Sequence, residues 1–248
     1  MAEPGPDADR ALVRAAWSLG YAPRETLHAL GCPSVSPGAC WTRLRRLHRS
    51  GRLVLVRRVG STGSLWLYGV GRGAAPPGSP RPWRPGLPQL EHTLAVGAAL
   101  VTLTRVDFAA PLACTEWQGE AELRAWAAPG APYPDGRVGW TCGGLRGAWL
   151  LELDRATESR AAWRRKLVRY LVAGGGAGAG AGGVVLAVTT SAARARGLAL
   201  VAADLGVPLL ATTAAELHAD PDPVVLDALE RRRDRLIVAS TRFAAPGG

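Results

Sequence analysis

The sequence has few cysteines, and none of the four forms a Cys-x-x-Cys pair. They stand at Cys32, Cys40, Cys114 and Cys142, a spacing that argues against a zinc site and is typical of reduced thiols. The chain also lacks an uninterrupted run of about 18 apolar residues, so no membrane-spanning helix is expected. Its first residues are acidic and proline-rich, unlike a secretory signal. We therefore expect a cytoplasmic protein with no membrane partner.

Two enzyme motifs are missing as well. The sequence contains no Gly-x-Ser-x-Gly, so it offers no support for serine hydrolase chemistry. A glycine-rich stretch at 173–183 precedes a predicted strand and does not end in Gly-Lys-Ser or Gly-Lys-Thr. A phosphate-binding loop instead follows a strand and opens a helix. We therefore predict a flexible loop at 173–183 and no nucleotide cofactor.

Lysine is almost absent, because Lys166 is the only lysine among the 30 basic residues. A GC-rich genome produces such an arginine bias, yet a lysine can orient water in a way that arginine cannot. The formal net charge is +10, and residues 1–75 hold 11 arginines against 4 acidic residues. This concentration predicts a polyanionic partner, most simply double-stranded DNA. The alternative is the general basicity of an arginine-rich proteome.

The composition and the prolines predict two domains. A chain of 248 residues with 48% hydrophobic content can hold one large domain or two small ones. Six prolines fall within residues 73–89, which is typical of a semi-rigid linker. We predict a first domain at 1–73, a linker at 74–89 and a second domain at 90–240, including a helix at 224–239.

The first domain has the pattern of a winged helix-turn-helix. Helices are predicted at 9–19 and 23–30, and Ser36 caps a third helix that has Pro37 at its first position. Two strands at 52–59 and 64–69 would form the wing. An arginine-lined third helix suits the major groove, and a wing suits phosphate contacts. The residues assigned to DNA contact are Thr42, Arg43, Arg45, Arg46, Arg49, Arg57 and Arg58. The alternatives are a protein-binding module and a solvated arginine face.

The second domain contains a candidate site between residues 133 and 170. Asp135 lies in a Pro-Asp-Gly turn, and Glu152 and Asp154 share one face of a predicted strand at 148–154. A helix at 158–172 follows, with Lys166 and Tyr170 four residues apart on one face. Asp135 and Glu152 are oxygen ligands suited to Mg²⁺, and Lys166 could orient water or stabilise charge. The alternative is that Asp135 only forms the turn and that the strand-end carboxylates are solvated.

Beyond this site, the sequence predicts a helix at 90–104 and either a helix start or a strand-to-helix transition at 115–124. A strand at 183–189, a helix at 191–205 and a strand at 207–211 form a strand–helix–strand unit. With a right-handed crossover, this unit would extend the sheet that the hairpin begins. The fold class is therefore α/β, or α+β over the whole chain.

The order Asp135, Glu152-x-Asp154 and Lys166-x-x-x-Tyr170 resembles the PD-(D/E)xK nuclease superfamily. More narrowly, residues 10–215 resemble the replication-relaxation family, proteins of actinobacterial and other Gram-positive plasmids and conjugative elements. The motifs that carry this resemblance are His92-Thr-Leu-Ala-Val, Trp117-Gln-Gly-Glu-Ala-Glu-Leu-Arg124, Pro134-Asp135-Gly136, Leu151-Glu-Leu-Asp-Arg-Ala-Thr157 and Lys166-Leu-Val-Arg-Tyr170.

The resemblance implies that the second domain has a restriction-endonuclease-like α/β/α fold. It implies a catalytic set of Asp135, Glu152 and Lys166, with metal held by Asp135 and Glu152. It also adds four residues to the pocket: His92, Glu120, Asp154 and Tyr170. The chain departs from the nuclease pattern at Asp154, where such an enzyme would have lysine. Lys166 could substitute from the helix, or the site could be silent.

Three functions are consistent with these features. The first is DNA binding by a replication-relaxation type protein in plasmid replication or mobile-element DNA processing. The second is an active Mg²⁺-dependent DNA endonuclease, and the third is a winged-helix transcriptional regulator whose silent second domain binds a partner. A homodimer is a reasonable expectation for a winged-helix DNA binder. The sequence leaves open whether the protein is an enzyme.

Overall fold

The computed structural model of the chain describes residues 6–60, 63–80, 84–105, 112–142, 145–174 and 183–219. It is a mixed α/β structure with open sheets, as the sequence predicts. The glycine-rich loop falls mostly, and the helix predicted at 224–239 entirely, outside these residues. Among the described residues, no helix combines the length and the apolar character that a membrane span requires.

The chain divides into two compact units. The first unit is Met1–Arg105 with Trp117–Gly136, and the second is Val106–Glu116 with Arg137–Gly248. Each unit combines two separate segments of the chain, whereas the domains proposed from the sequence are continuous and meet at a proline-rich linker. The sequence-based domain boundaries stay a prediction.

The first unit begins with three helices and a two-stranded sheet. Its elements are α1 (Pro6–Leu19), α2 (Arg24–Gly31), α3 (Pro37–Arg49), β1 (Leu53–Gly60) and β2 (Gly63–Val70). Ser36 caps α3 by accepting a hydrogen bond from the Ala39 N–H at 3.3 Å, and Pro37 occupies the first turn, as predicted. The strands are antiparallel, with Leu53 opposite Val70. Buried residues from each of these elements form the core of the unit.

The first unit also contains α4 (Leu87–Arg105), α5 (Glu120–Trp126) and the end of β3 (Leu112–Gly119). Ser18 connects α1 to α5, because its hydroxyl accepts from Gly119 N–H at 2.7 Å and donates to Glu122 at 2.7 Å. A side chain at position 119 would lie 2.5 Å from the Ser18 carbonyl oxygen. Glycine is therefore required where β3 passes α1 and α5 begins.

Two cysteines that are eight residues apart meet at the junction of α2 and α3. Cys32 Sγ lies 3.4 Å from Cys40 Sγ, within the distance of a sulfur hydrogen bond, and both thiols are free and buried. The Cys40 hydrogen bond lowers the pKa of Cys32, while the same contact raises the pKa of Cys40. Sequence spacing alone did not predict this contact.

The second unit is built on a five-stranded sheet in the order β3-β4-β5-β6-β7. Its further strands are β4 (Gly136–Cys142), β5 (Leu145–Asp154), β6 (Gly183–Thr189) and β7 (Leu209–Thr213). Parallel pairing joins β5 to β6 and β6 to β7. The predicted extension of the hairpin by a strand–helix–strand unit is therefore confirmed.

Two helices pack on this sheet, and a third follows its last strand in the chain. They are α6 (Arg160–Gly174), α7 (Ala192–Leu205) and α8 (Ala214–Ala219). Trp163 and Leu167 of α6 pack with Leu198 of α7 against Val185 and Ala187 of β6. Ser191 caps the start of α7, and Gly206 ends it in the left-handed conformation with φ +68°. The sequence-predicted helix at 191–205 agrees with this arrangement.

Candidate nucleic-acid interface and carboxylate clusters

Helix α3 has a buried apolar face and an exposed basic face. Cys40, Leu44 and Leu47 are buried, because their spacing aligns them along one side of the helix. The exposed residues of the predicted DNA-contacting set on this helix are Thr42, Arg45, Arg46 and Arg49. The described helix can therefore present three guanidinium groups to one surface.

Two of the assigned arginines contact Asp9 of α1. Arg43 Nη1 lies 3.0 Å from Asp9 Oδ1, and Arg46 Nη2 lies 2.6 Å from Asp9 Oδ2. The side chain of Arg43 is 12% exposed, whereas that of Arg46 is 61% exposed. Arg43 is therefore fixed between α1 and α3, while Arg46 keeps most of its surface accessible. No pattern in the sequence indicated that Asp9 would face them.

The hairpin presents an aromatic and a basic side chain together. The Arg57 guanidinium lies 5.8 Å from the centre of the Trp66 ring, a cation–π arrangement. Trp66 is 50% exposed, which is unusual for so large an apolar residue. Arg58 also belongs to β1, but its side chain lies outside those that the structure describes.

Three predicted pocket residues meet in the first unit. His92 lies near the start of α4, Glu120 is the first residue of α5, and Asp135 directly precedes β4. Their nearest ligand atoms all lie within 4.8 Å of one another. His92 Nε2 is 3.1 Å from Asp135 Oδ1, and all three residues are partly buried.

The environment of Glu120 disfavours a negative charge. Burial raises the pKa of Glu120, and the nearby Asp135 carboxylate raises it further. His92 and Arg124 act in the opposite direction without cancelling these effects. Two carboxylates are thus held close together beside an imidazole, an arrangement that can coordinate a cation.

Glu152 lies in a second, separate set of contacts within the second unit. Its carboxylate accepts a hydrogen bond from Lys166 Nζ at 2.9 Å and another from the Tyr170 hydroxyl. Lys166 also donates to Glu158 at 3.1 Å. Glu152 is only 2% exposed, so the alternative of a solvated strand end does not apply to it.

The charge state of Lys166 follows from these contacts. Burial lowers the pKa of its ammonium group, but Glu152 and Glu158 outweigh this effect and raise the pKa above its usual range. A protonated lysine can donate hydrogen bonds and stabilise negative charge, but it cannot accept a proton. This geometry favours a cationic role for Lys166 over a role as general base.

Asp154 is held by a residue that no sequence motif singled out. Arg194 of α7 donates to both Asp154 oxygens, and its Nη2 also donates to the Glu158 carbonyl oxygen. The Ala156 N–H donates to Asp154 Oδ1 at 3.1 Å, and Ala156 has φ +60°. Asp154, which is 4% exposed, therefore anchors the turn after β5.

The structure thus distributes the predicted catalytic residues over both units. Asp135 lies with His92 and Glu120 in the first unit, whereas Glu152 and Lys166 contact each other in the second. Of the additional pocket residues, Tyr170 and Asp154 belong to the second unit. The catalytic trio and its Mg²⁺ site stay a prediction.

Comparison with known proteins agrees with the motifs. Residues 21–177 match the model of the replication-relaxation family. This segment includes α3 and the carboxylates of both clusters, whereas Arg194, the partner of Asp154, lies beyond it. No curated protein and no solved structure matches the chain. Because the matched segment covers more than half of its length, the chain belongs to the replication-relaxation family.

Proposed function

We propose that this chain is a DNA-binding protein that acts in plasmid replication or in the processing of mobile-element DNA. Membership of the replication-relaxation family suggests such a role. The observation that carries DNA binding is the exposed face of α3, where Arg45, Arg46 and Arg49 lie on a helix whose other side is buried. Guanidinium groups on one helix face can contact guanine edges and phosphates.

The order of elements in the first unit supports this proposal. Three helices followed by an antiparallel hairpin are the elements of a winged helix, in which the third helix enters the major groove. Arg57 and the exposed Trp66 on the hairpin would then lie against the DNA backbone. In this arrangement Arg43, contacting Asp9, positions α3 rather than touching DNA.

The test is the affinity of the full chain for labelled duplex DNA, measured by fluorescence anisotropy at several salt concentrations. Replacing both Arg45 and Arg49 with alanine removes two exposed cations. We expect weaker binding and a salt dependence whose slope falls by about 0.9 for each phosphate that the variant no longer neutralises.

The control for charge is the double variant Arg165→Ala/Arg196→Ala, which removes two exposed arginines from α6 and α7 in the second unit. It should leave affinity and salt slope close to those of the unaltered protein. Equal weakening in both variants would attribute binding to total charge instead of α3. Absence of salt-dependent binding in the unaltered protein would contradict the proposal and favour a protein-binding module.

A second candidate function is metal-dependent DNA cleavage. It is favoured by the grouping of Asp135 with His92 and Glu120, since mixed carboxylate and imidazole ligands can hold a catalytic cation. In the second unit, Glu152 and Lys166 contact each other, and the nuclease resemblance implies that Lys166 stabilises negative charge. Their mutual contact and the raised pKa of Lys166 support an electrostatic contribution and disfavour proton abstraction.

Cleavage is tested with supercoiled plasmid in the presence of Mg²⁺, Mn²⁺ or EDTA. If the chain is a nuclease, Asp135→Ala should abolish metal-dependent nicking while DNA affinity is retained. Glu116→Gln is the control, because Glu116 is an exposed acid paired with Arg137. Nicking that persists in Asp135→Ala would exclude this site, and absence of cleavage with every metal would leave DNA binding alone.

A further inference from the structure

The cluster of His92, Glu120 and Asp135 is assembled from three separate segments of the first unit. His92 comes from α4, Glu120 from the first turn of α5 and Asp135 from the turn before β4. Within the part of the chain that the structure describes, these residues place three potential ligand atoms within 4.8 Å of one another. One imidazole nitrogen and two carboxylates therefore converge on one point.

The separations are close to those around a bound ion. With metal–ligand distances of about 2.0–2.2 Å, two ligand atoms on one ion lie at most about 4.4 Å apart. The 3.1 Å between His92 Nε2 and Asp135 Oδ1 is a normal spacing for adjacent ligands. Closing the set around an ion therefore requires only small side-chain adjustments.

The electrostatics of the cluster agree with this geometry. Glu120 and Asp135 place two carboxylates beside each other in a partly buried cluster, where their negative charges repel. A dication between the carboxylates would offset this repulsion. The partial burial of all three residues would strengthen the attraction relative to an exposed acidic patch.

We propose that His92, Glu120 and Asp135 bind one divalent first-row transition-metal ion, in preference to Mg²⁺. The imidazole ligand decides the class of ion. Mg²⁺ favours oxygen ligands and keeps its water shell, whereas Mn²⁺, Co²⁺ and Zn²⁺ accept imidazole together with carboxylates. The ligand set thus differs from the Mg²⁺ pair of Asp135 and Glu152 that the sequence predicts.

Three protein ligands would leave coordination positions open. A water molecule or a phosphate oxygen could occupy them, which is the arrangement of catalytic rather than closed structural sites. The proposal rests on the positions of the ligands, so it stands whether or not the chain binds or cuts DNA. Its test therefore contains no nucleic acid.

The experiment is a titration of metal-stripped, full-length protein with Mn²⁺, in which electron paramagnetic resonance measures the free ion. We expect one bound Mn²⁺ per chain. Glu120→Gln and Asp135→Asn, which keep the side-chain shape, should each weaken binding at least about tenfold, as should His92→Ala. Glu116→Gln, which alters an exposed acid outside the cluster, should leave affinity unchanged.

Selectivity is tested in the same samples. A hundredfold excess of Mg²⁺ should displace little of the bound Mn²⁺, and bound Co²⁺ should show a visible spectrum that changes in His92→Ala. Displacement by Mg²⁺ at equal concentration would overturn the assignment of the metal class. Absence of Mn²⁺ binding by the unaltered protein, or ligand variants that bind Mn²⁺ as tightly as the unaltered protein, would overturn the site.

Folding of each variant is checked by circular dichroism before titration. Asp135→Asn alters a turn next to a strand, so it could fail to fold for reasons unrelated to metal. Glu120→Gln alters a partly buried side chain in the first turn of a helix, where glutamine is tolerated. Unchanged Mn²⁺ affinity in folded Glu120→Gln is by itself sufficient to reject the ligand set.

Discussion

The two units surround their carboxylates with different groups. In the second unit, Glu152 and Asp154 are almost fully buried and contact the ammonium of Lys166 and the guanidinium of Arg194. In the first unit, the partly buried Glu120 and Asp135 lie together beside the imidazole of His92. The carboxylates of the second unit therefore form an internal ion-pair network, because their partners are permanent cations. In the first unit the neighbouring group is an imidazole, a common metal ligand, so a further cation could bind there.

The largest fall in the free energy of unfolding is expected when the ion-pair network is broken at Arg194. Arg194→Ala would leave the Asp154 carboxylate, whose side chain is 1% exposed, without its guanidinium contact. Removing one member of a buried ion pair costs about 3–5 kcal/mol, so we expect a fall of that size in the free energy of unfolding. Urea denaturation followed by circular dichroism would measure it.

Arg164→Ala provides the matched control for this measurement. Arg164 pairs with Asp204, but both side chains are more than half exposed. Exposed ion pairs contribute about 0–1 kcal/mol, so the free energy of unfolding should change by no more than that. Similar destabilisation of both variants would show that Asp154 and Arg194 are not a special buried pair.

Neutralising one glutamate in each unit should change the free energy of unfolding by a smaller amount, and in opposite directions. Glu152→Gln should lower the free energy of unfolding by about 1–3 kcal/mol, because Lys166 and Tyr170 would no longer have a charged acceptor. Glu120→Gln should raise it by up to about 0.5 kcal/mol, because the raised pKa of Glu120 reports a disfavoured charge.

Both glutamine variants should be compared at neutral pH with EDTA present, so that no metal contributes to stability. Thermal and urea denaturation would give the sign of each change. Destabilisation of similar size in both proteins would mean that Glu120 is held by favourable contacts like those of Glu152. The contrast between the two units would then be wrong.

Local patterns in the sequence predicted most elements of the fold. Ser36 followed by Pro37 marked the start of α3, and the serine does cap that helix. The strand-to-helix transition predicted at 115–124 is confirmed, since β3 ends at Gly119 and α5 begins at Glu120. Such signals are predictable because capping and side-chain alternation depend on residues within a few positions of each other.

The partners of charged residues were much harder to predict. Arg194 contacts Asp154 across 40 positions of sequence, and Arg46 contacts Asp9 across 37. Periodicity indicates which face of an element a residue occupies, but it does not indicate which residue faces it from another element. Without that information, Asp154 was interpreted as an aspartate in the place of the lysine of a nuclease motif. Arg46 was assigned to DNA contact without any partner in the protein.

The candidate metal site was predictable only in part. His92 and Glu120 were assigned to a pocket with Asp135 only because of the family resemblance, and the structure brings these three together. Their spacing in sequence contains no helical or strand period that would relate them. Only the packing of α4, α5 and the turn before β4 determines that they meet.

The contacts between α1 and α5 determine how the protein can be dissected into fragments for expression. Ser18 and Arg14 of α1 both contact Glu122, which lies beyond the proline-rich segment at 73–89. A fragment ended within that segment would expose the apolar surface that α4 and α5 cover and would leave the Ser18 hydroxyl without these partners. A fragment extended to Gly136 retains them together with His92, Glu120 and Asp135. Such a fragment also contains residues 106–116, which belong to the second unit, so it is the shortest continuous segment that holds the first unit whole.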